Sequence, residues 1–154
     1  MKKKFTYIVS VVFIAIIIKN YIFGIYQVNG ISMSPALNAG DIVICEKITL
    51  RFIDPQISDI VVATCAGNRL IKRVVGRPGD VMSFYSDCAY RNNIMYRKNI
   101  LPPPVAEYTI GKEQYYLLGD NNISYDSRIM GGIDQKNIVG KIILIIHLGL
   151  SQNR

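Results

Sequence analysis

His147 is the only histidine in the 154 residues, so a hydrolytic serine in this chain has no ready Ser-His-Asp arrangement and must find another base, for which lysine is the usual substitute. A lysine accepts a proton only when neutral. Its ordinary pKa of about 10.4 must fall by several units, and burial among apolar groups is the way to achieve that. Lys72 has the right neighbours, because Leu70, Ile71, Val74 and Val75 surround it in sequence. Strand alternation sends Lys72 and Arg73 to opposite faces, and periodicity leaves open which of them points inward. The best-placed serine is Ser32 in Gly30-Ile31-Ser32-Met33-Ser34-Pro35-Ala36-Leu37. A glycine and a proline bracket it there and imply an irregular backbone that can present a hydroxyl. Taken singly, a lysine in a strand is usually a solvated face residue and such a stretch an ordinary polar linker; the combination carries the reading. His147 has no carboxylate or nucleophile near it in sequence and is read as structural.

The elements that must position these residues begin with an apolar N-terminus. Residues 5–18 are almost wholly apolar, Lys19-Asn20 interrupts, and Tyr21 to Val28 continues in the same character. A helix over 5–28 is long enough to cross a bilayer, with Lys19 snorkelling and Tyr21 and Tyr26 suited to the interface. Lys2, Lys3 and Lys4 make residues 1–4 a basic tail on the cytoplasmic side, so the remainder is expected to be exported. A cleavable signal peptide shares this pattern, but no small-x-small site lies in residues 19–28. The net charge of +7 owes four charges to Lys2, Lys3, Lys4 and Lys19, which leaves +3 for residues 20–154. That excess is too mild, and too little interleaved with aromatics, for a nucleic-acid partner.

Beyond Gly40 the chain reads as short β-branched runs separated by Gly, Pro, Asn and Asp: 41–45, 59–64, 70–75, 81–85, 113–118 and 138–148. No long 3.6-residue period follows residue 30, so a mainly β domain over 29–154 is expected. Residues 142–148 are too few for a second span and read as a buried strand. Residues 77–117 are expected to form a smaller inserted β lobe, with Pro102-Pro103-Pro104 as a stiff connector between two lobes. Cys45, Cys65 and Cys88 include no CxxC pair, so no zinc cluster is written; Cys65 with Cys88 is a possible bridge, as are three free thiols.

Four segments in order resemble the motifs of bacterial type I signal peptidases, the Ser/Lys peptidases that remove signal peptides from exported proteins. Ser32-Met33-Ser34-Pro35-Ala36-Leu37 resembles the serine box, Gly40-Asp41 the next, Leu70-Ile-Lys-Arg-Val-Val-Gly-Arg-Pro-Gly-Asp80 the lysine box, and Gly119-Asp-Asn-Asn-Ile-Ser-Tyr-Asp-Ser-Arg128 the fourth. Ile138 to Lys141 resembles the closing strand.

The resemblance implies a fold of antiparallel β sheets after one transmembrane helix. It also implies that Ser32 is the nucleophile, that neutral Lys72 is the general base and that Ser124 hydrogen-bonds and orients the lysine amine. It selects Lys72 over Arg73, and a guanidinium is in any case always charged. Asp126 and Arg128 are expected to form a supporting ion pair, with Asp120 and Asn121 as turn-formers. Pockets for the residues one and three before the cut are expected around Met33, Leu37, Leu70 and Ile71. The Ser32 N–H is one expected oxyanion donor; Gly30 supplies no hydroxyl for a second. Ala36 and Asn122 depart from the threonine and arginine common in the family. No cofactor or metal is implied.

The expected partners are signal peptides of preproteins, membrane lipid and the export machinery, with the catalytic domain on the outer face of a bacterial cytoplasmic membrane. A specialised processing peptidase of a plasmid-transfer or secretion system is the near alternative. A Ser/Lys self-cleaving regulator would carry a DNA-binding segment in place of the span, and a non-catalytic tethered β domain would have no need of Ser32, Lys72 and Ser124 together.

Overall fold

The computed structural model describes residues 2–148; Met1 of the expected tail and residues 149–154 of the expected domain lie outside them. Helix α1 runs Lys2–Ile22. Its valines and isoleucines are indifferent helix formers in water, but in hydrocarbon every backbone group must be satisfied internally, which favours a helix. The segment Lys4–Ile22 is 19 residues of mean hydropathy 2.0 with none of it buried. At about 1.5 Å per residue it reaches roughly 30 Å, enough to cross a bilayer.

The helix stops short of the expected residue 28. Strand β1, Phe23–Gln27, leaves it in extended form because its backbone pairs with β2, Ile42–Glu46, from Phe23↔Glu46 to Gln27↔Ile42. The helix end is also tied to the domain. Lys47 N–H donates to the Ile22 carbonyl (2.9 Å), Lys47 Nζ to the Asn20 carbonyl (3.2 Å), and the Arg51 guanidinium to the Tyr21 hydroxyl (2.6 Å).

The chain continues through β3 (Ile60–Cys65), β4 (Asn68–Gly76), β5 (Val81–Tyr85), β6 (Cys88–Arg91), β7 (Ile94–Arg97), β8 (Glu107–Thr109), β9 (Gln114–Leu118), the short α2 (Ser127–Met130), β10 (Ile133–Asp134) and β11 (Ile138–Ile146). Seven strands form one antiparallel sheet in the order β1-β2-β11-β3-β4-β9-β10, and four form a second in the order β7-β6-β5-β8. The expected mainly β, antiparallel architecture is what the chain adopts. The second sheet occupies the place expected for an inserted lobe, but β9 at 114–118, most of it counted with that lobe, belongs to the first sheet. Pro102–Pro104 do not link the lobes. They lie between β7 and β8, the two edges of the second sheet, where an extended crossing needs no ladder partners.

The first sheet buries apolar residues on both faces, which explains its unbroken hydrophobic runs. On β3, Val61 and Ala63 enter one cluster with Val74 and Leu117, while Val62 enters another with Met33, Leu37 and Val43. On β9, Tyr115 and Leu117 face one cluster and Tyr116 and Leu118 face the core shared with the second sheet. Cys45, Cys65 and Cys88 are free. The possible Cys65–Cys88 bridge is not formed, one residue ending β3 of the first sheet and the other opening β6 of the second. Burial pushes the Cys45 thiol up to about 11.

Candidate active site

The loop carrying Ser32 is closed at its neck, where Val28 N–H donates to the Asp41 carbonyl and Gly40 N–H to the Val28 carbonyl, both at 2.8 Å. The Asp41 carboxylate accepts the Asn38 N–H at 2.9 Å, which holds it below the usual carboxylate range, and lies 2.8 Å from His147 Nδ1. Met33 and Leu37, 1% and 0% exposed, plug the loop into the core. Ser32 is thus presented from a turn that has little freedom.

Strand β4 delivers the second residue. Lys72 pairs opposite Val61 and is only 3% exposed. Its Nζ donates to Ser32 Oγ at 2.8 Å and to the Ile71 carbonyl at 3.1 Å. Burial pushes the amine below its ordinary value, against an upward pull from the charges of Asp126 and Asp120. No carboxylate is ion-paired with it among the described residues. Arg73, on the other face, forks onto Asp120 through Nε (2.8 Å) and an η nitrogen (2.6 Å).

The fourth segment holds this pair from behind. Asn121 N–H donates to the Ser32 carbonyl at 3.0 Å. Gly119 is required here by close approach, since a Cβ at that position would run into Ser124 Oγ and the Ser32 carbonyl oxygen. Asp126, fully buried, accepts Gly119 N–H (2.9 Å) and forks with Arg128 at 2.9 Å on both arms. Arg128 also reaches the carbonyls of Leu101 and Asn122 (3.1 Å each) and Ser124 (3.3 Å). The expected ion pair is therefore a buried brace on the whole segment.

Ser124 departs from expectation. Its Oγ is buried with no hydrogen-bond partner, and the lysine amine donates to Ser32 and Ile71 instead. Arg128 fixes the backbone around Ser124, and the hydroxyl is left packed against Gly119 beside the Ser32 carbonyl.

A cleft of about 490 Å³ opens between residues 25–30 and 69–72, with Ser32 and Lys72 in its lining. Met33, Leu70 and Ile71 are also in its lining. Leu37, expected beside them, is not: it is wholly enclosed in the core that anchors the serine loop. Sequence reasoning missed Tyr26 and Arg69, which also line the cleft and stack with 5.3 Å between guanidinium and ring centroid. Tyr26, expected at the membrane interface, lies on β1 because α1 ends at Ile22. Reasoning also missed Asp120 as the Arg73 partner and Arg97, which reaches from β7 to the carbonyls of Gly119 (2.7 Å) and Asp120. Arg73 carried a signal, since a cation beside an inward lysine on a half-buried strand needs a partner.

The family model for signal peptidase, peptidase S26, matches residues 1–147. The chain belongs to this family. It is a serine peptidase. Signal peptidase I V of Bacillus subtilis is 34% identical over 164 residues, covering 92% of this chain and 98% of that one. A probable signal peptidase I-2 of Synechocystis is 36% identical over 146 residues, covering 86% and 67%. An inactive signal peptidase IA of Staphylococcus aureus is 28% identical over 169 residues, covering 94% and 92%. The crystal structure of a signal peptidase I from Enterococcus faecalis overlays at a TM-score of 0.49 and 23% identity, covering 59% of this chain and 98% of that one.

Proposed function

We propose that this peptidase is membrane-anchored and removes signal peptides from exported preproteins, with Ser32 as nucleophile and Lys72 as general base. The observation that carries the reading is the 2.8 Å contact between the Ser32 hydroxyl and a buried amine that has no carboxylate paired to it among the described residues. Ser32 Oγ attacks the scissile carbonyl as its proton passes to neutral Lys72; the resulting ammonium then protonates the leaving amine, and water hydrolyses the ester formed on Ser32, giving its proton to Lys72, which returns it to Ser32 Oγ as the acyl–oxygen bond breaks. The Ser32 N–H, which donates to no protein group among the described residues, is the proposed oxyanion donor. Asp126 and Arg128 support the site by bracing the segment behind Ser32. Ser124 is proposed to turn onto the amine when substrate enters, which would relieve its unpartnered hydroxyl.

Substrate is proposed to bind as an added strand. β1 is a sheet edge, and residues 68–72 of β4 have no partner on the side where β9 pairs from Arg73 onward, so two open edges flank the cleft. Met33, Leu70 and Ile71 form the apolar floor for small residues before the cut. Residues 1–4 as a cytoplasmic tail, α1 as the anchor and the β domain on the outer face follow from the lysines before the span. A processing peptidase with restricted substrates fits the same geometry. A non-catalytic domain is disfavoured by the intact Ser32–Lys72 contact.

Detergent-solubilised full-length protein incubated with a preprotein is expected to yield a mature chain beginning after a small-x-small site, and Ser32→Ala is expected to yield none. Cleavage by Ser32→Ala equal to wild type would refute the assignment.

A further inference from the structure

Among the described residues Arg69 is the one charged group other than Lys72 that lines the cleft, and no acidic residue does. Its guanidinium has no carboxylate partner and no hydrogen-bonded acceptor among the described residues, although it carries five donors. The Tyr26 ring orients it across the cleft, from β4 toward β1. By contrast, Arg73, Arg97 and Arg128 all spend their donors on carboxylates or carbonyls of the protein. An oriented, unpaired guanidinium in a binding cleft is a ready donor site for a ligand carboxylate.

The direction of the substrate follows from the chain path. β1 begins where α1 ends, so the cleft runs from Ser32 toward the membrane as it passes Tyr26. A signal peptide's apolar stretch precedes its cut, so the residues before the cut lie on that side. Arg69 precedes Lys72 by three strand positions, roughly 10 Å at about 3.3 Å per residue. An extended substrate with its scissile carbonyl at Ser32 then brings its fourth or fifth residue before the cut to the guanidinium.

We infer that Arg69, held by Tyr26, is a specificity-determining residue that selects substrates with an acidic side chain at the fourth or fifth position before the cut and disfavours basic ones there. This rests on the proposed signal-peptide reading and gives it a substrate class. The wetted position of Arg69 makes the preference electrostatic, salt-sensitive and moderate in size.

The test uses detergent-solubilised full-length protein and peptides with a small-x-small site that differ only in Glu or Lys at the fourth or fifth position before the cut. Wild type is expected to favour the Glu peptide by about tenfold in kcat/KM, shrinking toward unity at 1 M salt. Arg69→Glu is expected to invert the ratio and Arg69→Gln to bring it near one. Because each ratio is internal to one protein, partial loss of folding does not alter it, and the wild-type salt series reads the effect without any variant. A ratio untouched by Arg69→Glu overturns the proposal. So does an equal loss on both peptides confined to anionic vesicles, which would assign Arg69 to lipid headgroups. If no peptide is cleaved, the signal-peptide reading fails separately, and binding of the same peptides to Ser32→Ala decides: a Glu preference lost in Ser32→Ala/Arg69→Gln supports the selectivity, and equal or absent binding overturns it.

Discussion

Lys72 and Arg73 are adjacent basic residues on one strand, and the fold treats them in opposite ways. Arg73 is given Asp120 in a two-armed pair; Lys72 is given a hydroxyl, a carbonyl and apolar walls. Arg128, also buried, follows the Arg73 pattern with Asp126. The two arginines are neutralised by carboxylates, whereas Lys72 has none paired to it among the described residues and has its pKa lowered by burial, as its proposed role as a base requires. The two patterns predict different responses to mutation.

The largest effect is expected where the brace is most buried. Arg128→Met leaves Asp126 charged, enclosed and unpaired, and is expected to cost about 3–5 kcal/mol of stability, read as a fall in the thermal midpoint in detergent. Arg73→Met leaves Asp120 partly solvated, since side-chain exposures in that pair are 24% and 18%, so a smaller loss of about 1–2 kcal/mol is expected. If the two losses are equal, burial is not what separates these pairs.

Lys72→Met should abolish activity and stabilise the fold, the reverse of both. The unfolded chain binds the lysine proton up to the ordinary value, the folded chain only up to a lowered one. Wild-type stability therefore rises with pH between those two values and carries the full cost below the lower. The advantage of Lys72→Met should be greatest at low pH and shrink by up to about 1.4 kcal/mol per pH unit across that interval. A gap between the two proteins that does not change with pH would show that the amine is not depressed.

Much of this was legible in the sequence. Order and spacing of the four segments singled out Ser32 and Lys72, which the fold brings to 2.8 Å, and β-branched runs marked every strand of the first sheet except β1 and β10. The end of α1 was not legible, because Phe23–Gln27 carries neither a proline nor a charge to mark a stop and becomes a strand only by pairing with β2, whose sequence lies beyond the serine loop. Leu37 looked like a pocket residue because it lies close to Ser32 in sequence, yet it is fully enclosed and plugs the Ser32 loop into the core. Asp120, Arg97 and the Tyr26–Arg69 stack depend on contacts across 47, 22 and 43 positions, which no local pattern encodes.

The central claim is that Lys72 works as a neutral amine, and the pH dependence of kcat/KM for a cleavable preprotein reads it most directly. The account predicts one rising limb whose midpoint lies below the ordinary lysine value of about 10.4, with activity lost across the whole range in Lys72→Arg, where a guanidinium keeps the charge but cannot give it up. An acid-side optimum, or cleavage retained by Lys72→Arg, would contradict it.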